Sequence, residues 1–163
     1  MKNLDTLITE MIDYYSGDPK RIQHFIKVHS FAGLIGRIEK LDDDKMLILE
    51  AAAIVHDIGI KSAEEKFSSC SGKLQEQEGP PLAEAMLEKT GFEQDVISRV
   101  SFLVGHHHTY SDIDGEDYQI LVEADFLVNM YEDGLSEESV KSAYTKIFRT
   151  EAGKSLCRKI FKL

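Results

Sequence analysis

One segment of the sequence is apolar on nearly every side of a helix, and it constrains the fold more than any other feature. It covers residues 46–55 and is followed directly by the pair His56 and Asp57. A helix that is apolar all round has to be covered by other elements on all sides. We therefore expect this segment to be the central helix of a bundle, with a histidine and a carboxylate at its end.

The rest of the chain also has helical periodicity, and no alternating pattern indicates a sheet. Residues 62–81 are rich in Ser and Gly, contain the pair Pro80 and Pro81, and are predicted to form a long loop that borders the site and selects substrate. The predicted fold is an all-α, single-domain helical bundle over residues 1–163, with a motif core at about 20–130 and C-terminal helices in 136–163. The other predicted helices are one that carries Leu4, Leu7, Ile8 and Met11, and then about 19–39, 81–89, 93–107 and 117–131.

Length and charge narrow the class of protein. The 163 residues suit one domain, and 19 basic against 29 acidic residues give a formal net charge of −10. Such a surface repels nucleic-acid backbones, so duplex binding is not expected, whereas a metal and a few local cations can still attract a small anion. Only Cys70 and Cys157 are present, and no apolar run is long enough for a bilayer. The sequence predicts a cytoplasmic protein without a membrane partner, and it carries no signal for an oligomeric state.

Side chains that commonly bind metals occur where apolar residues would be expected. His24 lies on the inner face of its predicted helix, and Asp125 lies between Leu121 and Val128 on one helix face. A carboxylate among apolar side chains is costly unless something positive neutralises it, and no Lys or Arg lies within a turn of Asp125. A bound metal explains this placement.

Each of these residues also has a simpler explanation. A lone histidine such as His24 is more often a hydrogen-bonded core residue, and Asp125 could simply accept hydrogen bonds. The pair His56 and Asp57 could cap a helix, although the negative charge of Asp57 is the wrong sign for a helix C-terminus. Residues 106–108, all histidine, could be a solvated helix end. Taken together, however, these residues supply every donor type that a divalent metal binds.

The order of these residues resembles that of the HD-domain superfamily of metal-dependent phosphohydrolases. The similar segments are Arg21-Ile22-Gln23-His24, Val55-His56-Asp57-Ile58-Gly59, Gly105-His106-His107-His108 and Glu123-Ala124-Asp125. The resemblance implies an all-α bundle of the HD type and assigns metal ligation to His24, His56, Asp57 and Asp125. It also implies that Asp57 anchors the attacking water.

The chain departs from the family pattern at two places. Ile60 stands before Lys61, where many relatives have Lys directly after the Gly, and no extra histidine occurs in residues 62–85. We therefore expect one divalent metal ion, which could be Mn, Fe, Co, Ni, Mg or Zn. The run His106 to His108 could serve a second metal in part.

The predicted function is hydrolysis of a nucleotide or another small phosphate ester. Asp57 is the central catalytic residue. His106 and His107 are expected to reach the pocket, where they would bind phosphate or protonate the leaving group, with His108 as a wall or surface residue. The candidates to bind the substrate's phosphate are Arg21, Lys61 and Lys73, although the last two could be ordinary solvated charges.

Two other functions remain open from the sequence. The first is a di-iron oxygenase on the same scaffold, whose extra ligands are not evident in residues 62–85. The second is a non-catalytic nucleotide sensor, which the full ligand set disfavours because a pure binder need not keep a metal site. Iron content with oxygen consumption would identify the oxygenase.

Overall fold

The computed structural model describes residues 2–163 as helices joined by turns and one longer connection at residues 105–115, and this range contains no strand. The all-α fold class predicted from the sequence is confirmed. No helix in the described range is long and apolar enough to cross a membrane. In chain order the helices are α1 (Lys2–Tyr14), α2 (Pro19–Ile38), α3 (Asp43–Val55), α4 (Gly59–Phe67), α5 (Gly72–Lys89), α6 (Gln94–Val104), α7 (Glu116–Glu132), α8 (Glu137–Ile147) and α9 (Glu151–Phe161).

Helix α3 is the centre of the bundle, as the sequence predicts. Leu49 and all of residues 51–55 are fully buried, because α1, α2, α6 and α7 pack around this helix. Asp42 caps the start of the helix, because its carboxylate accepts a hydrogen bond from the backbone N–H of Lys45 at 2.9 Å. Helix α3 ends at Val55, so His56 and Asp57 lie in the turn that follows it.

Helices α2 and α7 pack against each other and against α3. Their buried faces carry His24 and Phe25 on α2 and Ala124 and Asp125 on α7. Helix α2 begins with Pro19, and Asp18 caps it by accepting a hydrogen bond from the backbone N–H of Arg21 at 3.2 Å. The first half of α2, the end of α3 and the second half of α7 therefore meet in one place.

The long loop predicted for residues 62–81 is wrong. This region forms most of α4 and the first half of α5, and only the residues around Ser68 and Ser71 break the helices. Ser68 has a left-handed backbone (φ 54°), and the Ser71 hydroxyl caps α5. Pro80 and Pro81 lie inside α5, where a proline ordinarily breaks a helix. Packing of α5 against α4 and α6 stabilises the helix in spite of this local cost.

A glycine contact sets how closely α4 and α5 approach. A Cβ atom added at Gly59 would lie 2.7 Å from the Gln75 carbonyl oxygen and 2.7 Å from the Gly79 backbone nitrogen. Both atoms belong to the backbone of α5, so neither can move without shifting that helix. Gly59 is thus needed for the close packing directly after His56 and Asp57.

Replacing Gly59 by Ala is expected to lower the free energy of unfolding by about 1–3 kcal/mol, because the methyl group overpacks the α4–α5 contact. Gly33→Ala is the matched control. The Cβ atom added there, in the middle of α2, meets only the side-chain ends of Arg37 and Glu50. Ala also favours a helix by about 1 kcal/mol over Gly, so this variant should be as stable as the original or more so. Denaturant unfolding measures the free energy of unfolding of both variants. Equal values for Gly59→Ala and Gly33→Ala would refute the close contact between Gly59 and α5.

Candidate metal centre

Four side chains meet at one point in the bundle. His24 comes from α2, Asp125 from α7, and His56 and Asp57 from the turn after α3. From His24 Nε2 the distances are 3.2 Å to His56 Nε2, 3.2 Å to Asp57 Oδ2 and 3.2 Å to Asp125 Oδ1. His56 Nε2 lies 3.3 Å from the same Asp57 oxygen and 3.5 Å from the same Asp125 oxygen. His24, His56 and Asp57 form a set of three donors that could hold a metal ion, and Asp125 Oδ1 lies beside both histidines of this set.

The spacing of these donor atoms fits ligands that share one ion. Donors about 2.0–2.2 Å from a tetrahedral ion lie about 3.3–3.6 Å from one another, and octahedral neighbours lie slightly closer, at about 3.0 Å. The observed distances of 3.2–3.5 Å fall within this range. Two imidazole nitrogens and two carboxylates are also donors that divalent transition metals accept. The residues present therefore fit a divalent metal ion.

Hydrogen bonds on the far side of each ring orient the two histidines. His56 Nδ1 donates to the Ala53 carbonyl oxygen at 2.7 Å, and His24 Nδ1 donates to the Glu132 carboxylate at 3.2 Å. Because these oxygens can only accept, the proton of each neutral ring is at Nδ1. The Nε2 lone pairs of both rings then point at the cluster, which is the arrangement found for metal-bound histidines.

The charges of the cluster also favour a cation. Burial lowers the pKa of His24, but hydrogen bonds to the Asp125 and Asp57 carboxylates outweigh this and raise its pKa to about 9. Burial raises the pKa of Asp57, but the neighbouring His56, followed by His107 and His24, holds it well below its usual value. The carboxylates therefore stay ionised in a largely buried site, where a positive charge stabilises them.

A second group of donors shares Asp57 with the first. His107 Nε2 lies 3.4 Å from Asp57 Oδ1, and the ring donates from Nδ1 to the Val104 carbonyl oxygen at 2.9 Å. His107 is 1% exposed, and its Nε2 has no hydrogen-bond partner within the described chain. Asp57, His107 and His108 together form a further set of three donor side chains that could hold a metal ion.

The family model described as HD domain matches residues 21–148, a range that includes all four residues of the first cluster. The chain belongs to the HD domain family. A solved structure of similar fold is that of a predicted HD superfamily hydrolase from an uncultured Thermotogales bacterium. The TM-score is 0.67 and the identity is 22%, with 99% of this chain and 85% of that chain covered. At this identity the similarity shows the fold alone. No curated protein matches the chain.

The family match supports a metal-dependent hydrolase, and the cluster of this HD domain consists of the four residues that the sequence assigned as ligands. Their convergence depends on three helices that are distant in sequence. Ligation itself stays a prediction. The second donor group comes from the histidine run, which the sequence left open as a partial second metal site, and not from residues 62–85.

Neither His106 nor His107, the two histidines expected to reach the pocket, lines the cavity beside the cluster, although His107 lies against Asp57. His106 stacks on Phe102 with ring centroids 4.1 Å apart, outside the cavity above the cluster. His108 lines that cavity as a wall residue, and its Nε2 lies 2.7 Å from Gln75 Oε1. The reason is that α6 ends at Val104 and residues 105–108 form a turn, so helical spacing no longer applies. The structure therefore gives no support to a catalytic role for His106.

A cavity of about 320 Å³ opens beside the cluster. Of the three cations predicted to bind phosphate, only Arg21 lines it, and the Arg21 guanidinium is also paired with Asp18 and Glu64. Lys61 lies outside it with its Nζ 3.4 Å from the Tyr14 carbonyl oxygen. Lys73 is exposed and is also outside it. The lining residues are Lys20, Arg21, His24, Asp57, Ile60, Cys70, Gln75, His108, Asn129, Glu132 and Asp133.

Sequence reasoning missed two lining residues that helical spacing could have identified. Lys20 is four residues before His24 and Asn129 is four residues after Asp125, so each shares a helix face with a cluster residue. Asn129 Nδ2 donates to Asp125 Oδ1 at 2.9 Å and so helps to orient that carboxylate.

Glu132→Ala is expected to weaken metal binding about 10–100-fold, because Glu132 orients the His24 ring through Nδ1. Glu132 Oε1 also pairs with Lys27 Nζ at 2.8 Å. Lys27→Met is therefore the matched control, since it removes this ion pair and leaves the bond to His24. Competition with a chelator of known affinity measures the metal Kd. A Kd that is unchanged in Glu132→Ala, or weakened equally in both variants, would contradict the orienting role.

Proposed function

We propose that this HD domain is a metal-dependent phosphohydrolase that acts on a nucleotide or another small phosphate ester. One observation carries the proposal: four donors converge at the side of a cavity large enough for a small molecule. Structural metal sites are closed by protein ligands, whereas catalytic sites keep a position open to water and substrate. His24 and Asp57 belong both to the cluster and to the cavity lining, which is what a catalytic site requires.

The bound metal would supply a water with its pKa lowered towards about 7 and would polarise the phosphoryl oxygen. Asp57 is the residue best placed to orient that water. Its Oδ2 faces His24 and His56, while its Oδ1 faces His107. A carboxylate held from both sides in this way keeps a fixed orientation, and it can accept a hydrogen bond from the attacking water.

The phosphate group would be bound at the start of α2. Lys20 and Arg21 lie in the first turn of this helix and line the cavity one turn before His24. The N-terminal end of a helix and the two cations all favour an anion there. Together with a bound divalent metal ion, these groups would offset the overall charge of −10 for a small anionic substrate.

We further propose a cytoplasmic location and no duplex nucleic-acid or membrane partner. Cys70 and Cys157 are unpaired in the structure, which supports a reducing compartment. The formal net charge of −10 supports a small-molecule substrate over a nucleic-acid duplex, because a duplex binder needs an extended positive surface.

Metal-depleted protein that is reloaded in turn with Mn, Fe, Co, Ni, Mg or Zn tests the proposal. Phosphate release from a panel of nucleotides and sugar phosphates is expected with one or more of these ions, and chelator-treated protein should be inactive. Undiminished release by the chelated protein would contradict the proposal.

An oxygenase with two irons is a second candidate because Asp57, His107 and His108 form the second donor group. This candidate requires two irons per chain and consumption of oxygen with a C–C or C–P substrate. Phosphate release that needs no oxygen and is equal in air and under argon would exclude it as the explanation of the hydrolysis.

A further inference from the structure

Building on the proposed function, we propose that the substrate is a polyhydroxylated phosphate ester that is held by its phosphate and hydroxyl groups, with no recognition of a base. This inference narrows the class of ester, and it depends on three features of the cavity beside the cluster.

The first feature is the chemistry of the cavity lining. At about 320 Å³ the cavity is near the lower end of the range of about 300–1,000 Å³ for small-molecule sites. Proteins commonly hold a nucleobase by stacking it on an aromatic ring. Among the described residues that line this cavity, none is Phe or Tyr, and the only aromatic rings are those of His24 and His108. One face of the His108 ring lies against His107, with ring centroids 4.0 Å apart. The cavity therefore offers a base no Phe or Tyr ring to stack on.

The second feature is a group of hydrogen-bond acceptors at the end of α7. Asn129 donates its amide N–H to Asp125, which leaves its Oδ1 as an acceptor. Asp133 adds a carboxylate to the cavity lining. Glu132, which lies between Asn129 and Asp133 in the sequence, lines the same cavity. Acceptors of this kind bind groups that donate, and a sugar or polyol presents several hydroxyl donors close together.

The third feature is that Asp133 is unfavourable for its own helix. It caps the C-terminus of α7, where the helix dipole disfavours negative charge, and no basic residue occupies the last turn. The negative charge of Glu132 at this helix end is explained by its hydrogen bond to His24 and its ion pair with Lys27. The Asp133 carboxylate makes no hydrogen bond or ion pair within the described chain and is exposed at the cavity. An incoming hydroxyl donor gives this side chain a partner.

Lys20 and Arg21 complete the arrangement, because they lie at the start of α2 and line the same cavity. Cations at the start of α2 would bind the phosphate, and acceptors at the end of α7 would bind the hydroxyl groups. The metal cluster, which includes His24 and Asp57, lies between these two helices and α3.

Four 5′-phosphates compared on the metal-loaded protein test the proposal, with both phosphate release and equilibrium Kd measured. AMP and UMP differ in base, methyl riboside 5-phosphate lacks the base and keeps the sugar ring closed, and 2′,3′-dideoxy-AMP lacks the hydroxyl groups. The three hydroxylated esters are expected to agree within about threefold in kcat/KM and Kd, and the dideoxy ester should be at least about tenfold poorer in both.

Asp133→Ala is expected to reduce the preference for AMP over dideoxy-AMP by about tenfold, because a hydroxyl partner is lost. Asp13→Ala is the matched control. Asp13 is an exposed carboxylate in the last turn of α1 that lines a different cavity, so its removal should leave the preference unchanged.

Several outcomes would overturn the inference. The first is a preference for AMP or UMP over methyl riboside 5-phosphate of more than about tenfold, and the second is equal use of AMP and dideoxy-AMP. Ethanolamine phosphate is measured beside the four esters, and a preference for it is the third, because its ammonium group would then be the ligand of the carboxylates. In each of these cases the proposed hydrolysis stands. If no ester releases phosphate with any metal, the proposed function fails instead, and the Kd values alone decide the inference. Equal binding of the three hydroxylated esters supports the inference. Absence of binding by methyl riboside 5-phosphate overturns it.

Discussion

Asp57→Asn is expected to lower the rate of phosphate release roughly 100-fold or more and to weaken metal binding. The helical content of the protein should stay unchanged. The Asp57 side chain contacts His24 and His56 through one oxygen and His107 through the other. Asn keeps the shape but removes the negative charge that the ion and the attacking water both need. Phosphate release, bound metal per chain and circular dichroism measure the three parts of this result.

Asp117→Asn is the matched control for Asp57→Asn. Asp117 is also a buried carboxylate, but it pairs with Arg99 at 2.8 Å outside the cluster. Its replacement should cost stability and leave the bound metal unchanged. Full turnover by Asp57→Asn would rule out the proposed mechanism, and loss of metal in Asp117→Asn would show that the assay reports general destabilisation.

His107→Ala is expected to lower turnover about 10–100-fold while the ion held by the four-residue cluster stays bound. His107 is buried beside Asp57 Oδ1, so its removal leaves that carboxylate oxygen free to reorient. His106→Ala is the matched control, because His106 lies on Phe102 outside the cavity and should be dispensable. Turnover and metal per chain are measured on both variants.

The same pair of variants distinguishes a site that binds one metal ion from a site that binds two. If His107→Ala loses bound metal in parallel with activity, His107 is a ligand, and the single-ion expectation from the sequence is wrong. If His106→Ala is as impaired as His107→Ala, the placement of the histidine run is contradicted.

The cluster could be predicted from the sequence because its members break local apolar patterns. His24 and Asp125 lie on helix faces whose other residues are buried, and His56 and Asp57 follow the helix that is buried on all sides. Such violations are costly to folding, so they indicate function even before the contacts are known. The helices themselves could be predicted because burial of one helix face places apolar residues three and four positions apart in the sequence.

The errors arose where tertiary packing or turn geometry overrides local composition. Pro80 and Pro81 indicate a loop by composition, yet α4 and α6 hold them inside a helix. His106 lies on Phe102, outside the cavity, because the helical period ends at Gly105. Lys61 could be excluded from the cavity only once its position beside Tyr14 was known.

Anomalous diffraction from crystals of the metal-loaded protein, recorded at the absorption edge of the bound ion, tests the central claim most directly. The predicted result is a peak within about 2.0–2.6 Å of a donor atom from each of His24, His56, Asp57 and Asp125. A metal-loaded protein with no peak at this point, or with the ion bound elsewhere and these four side chains apart, would contradict the account.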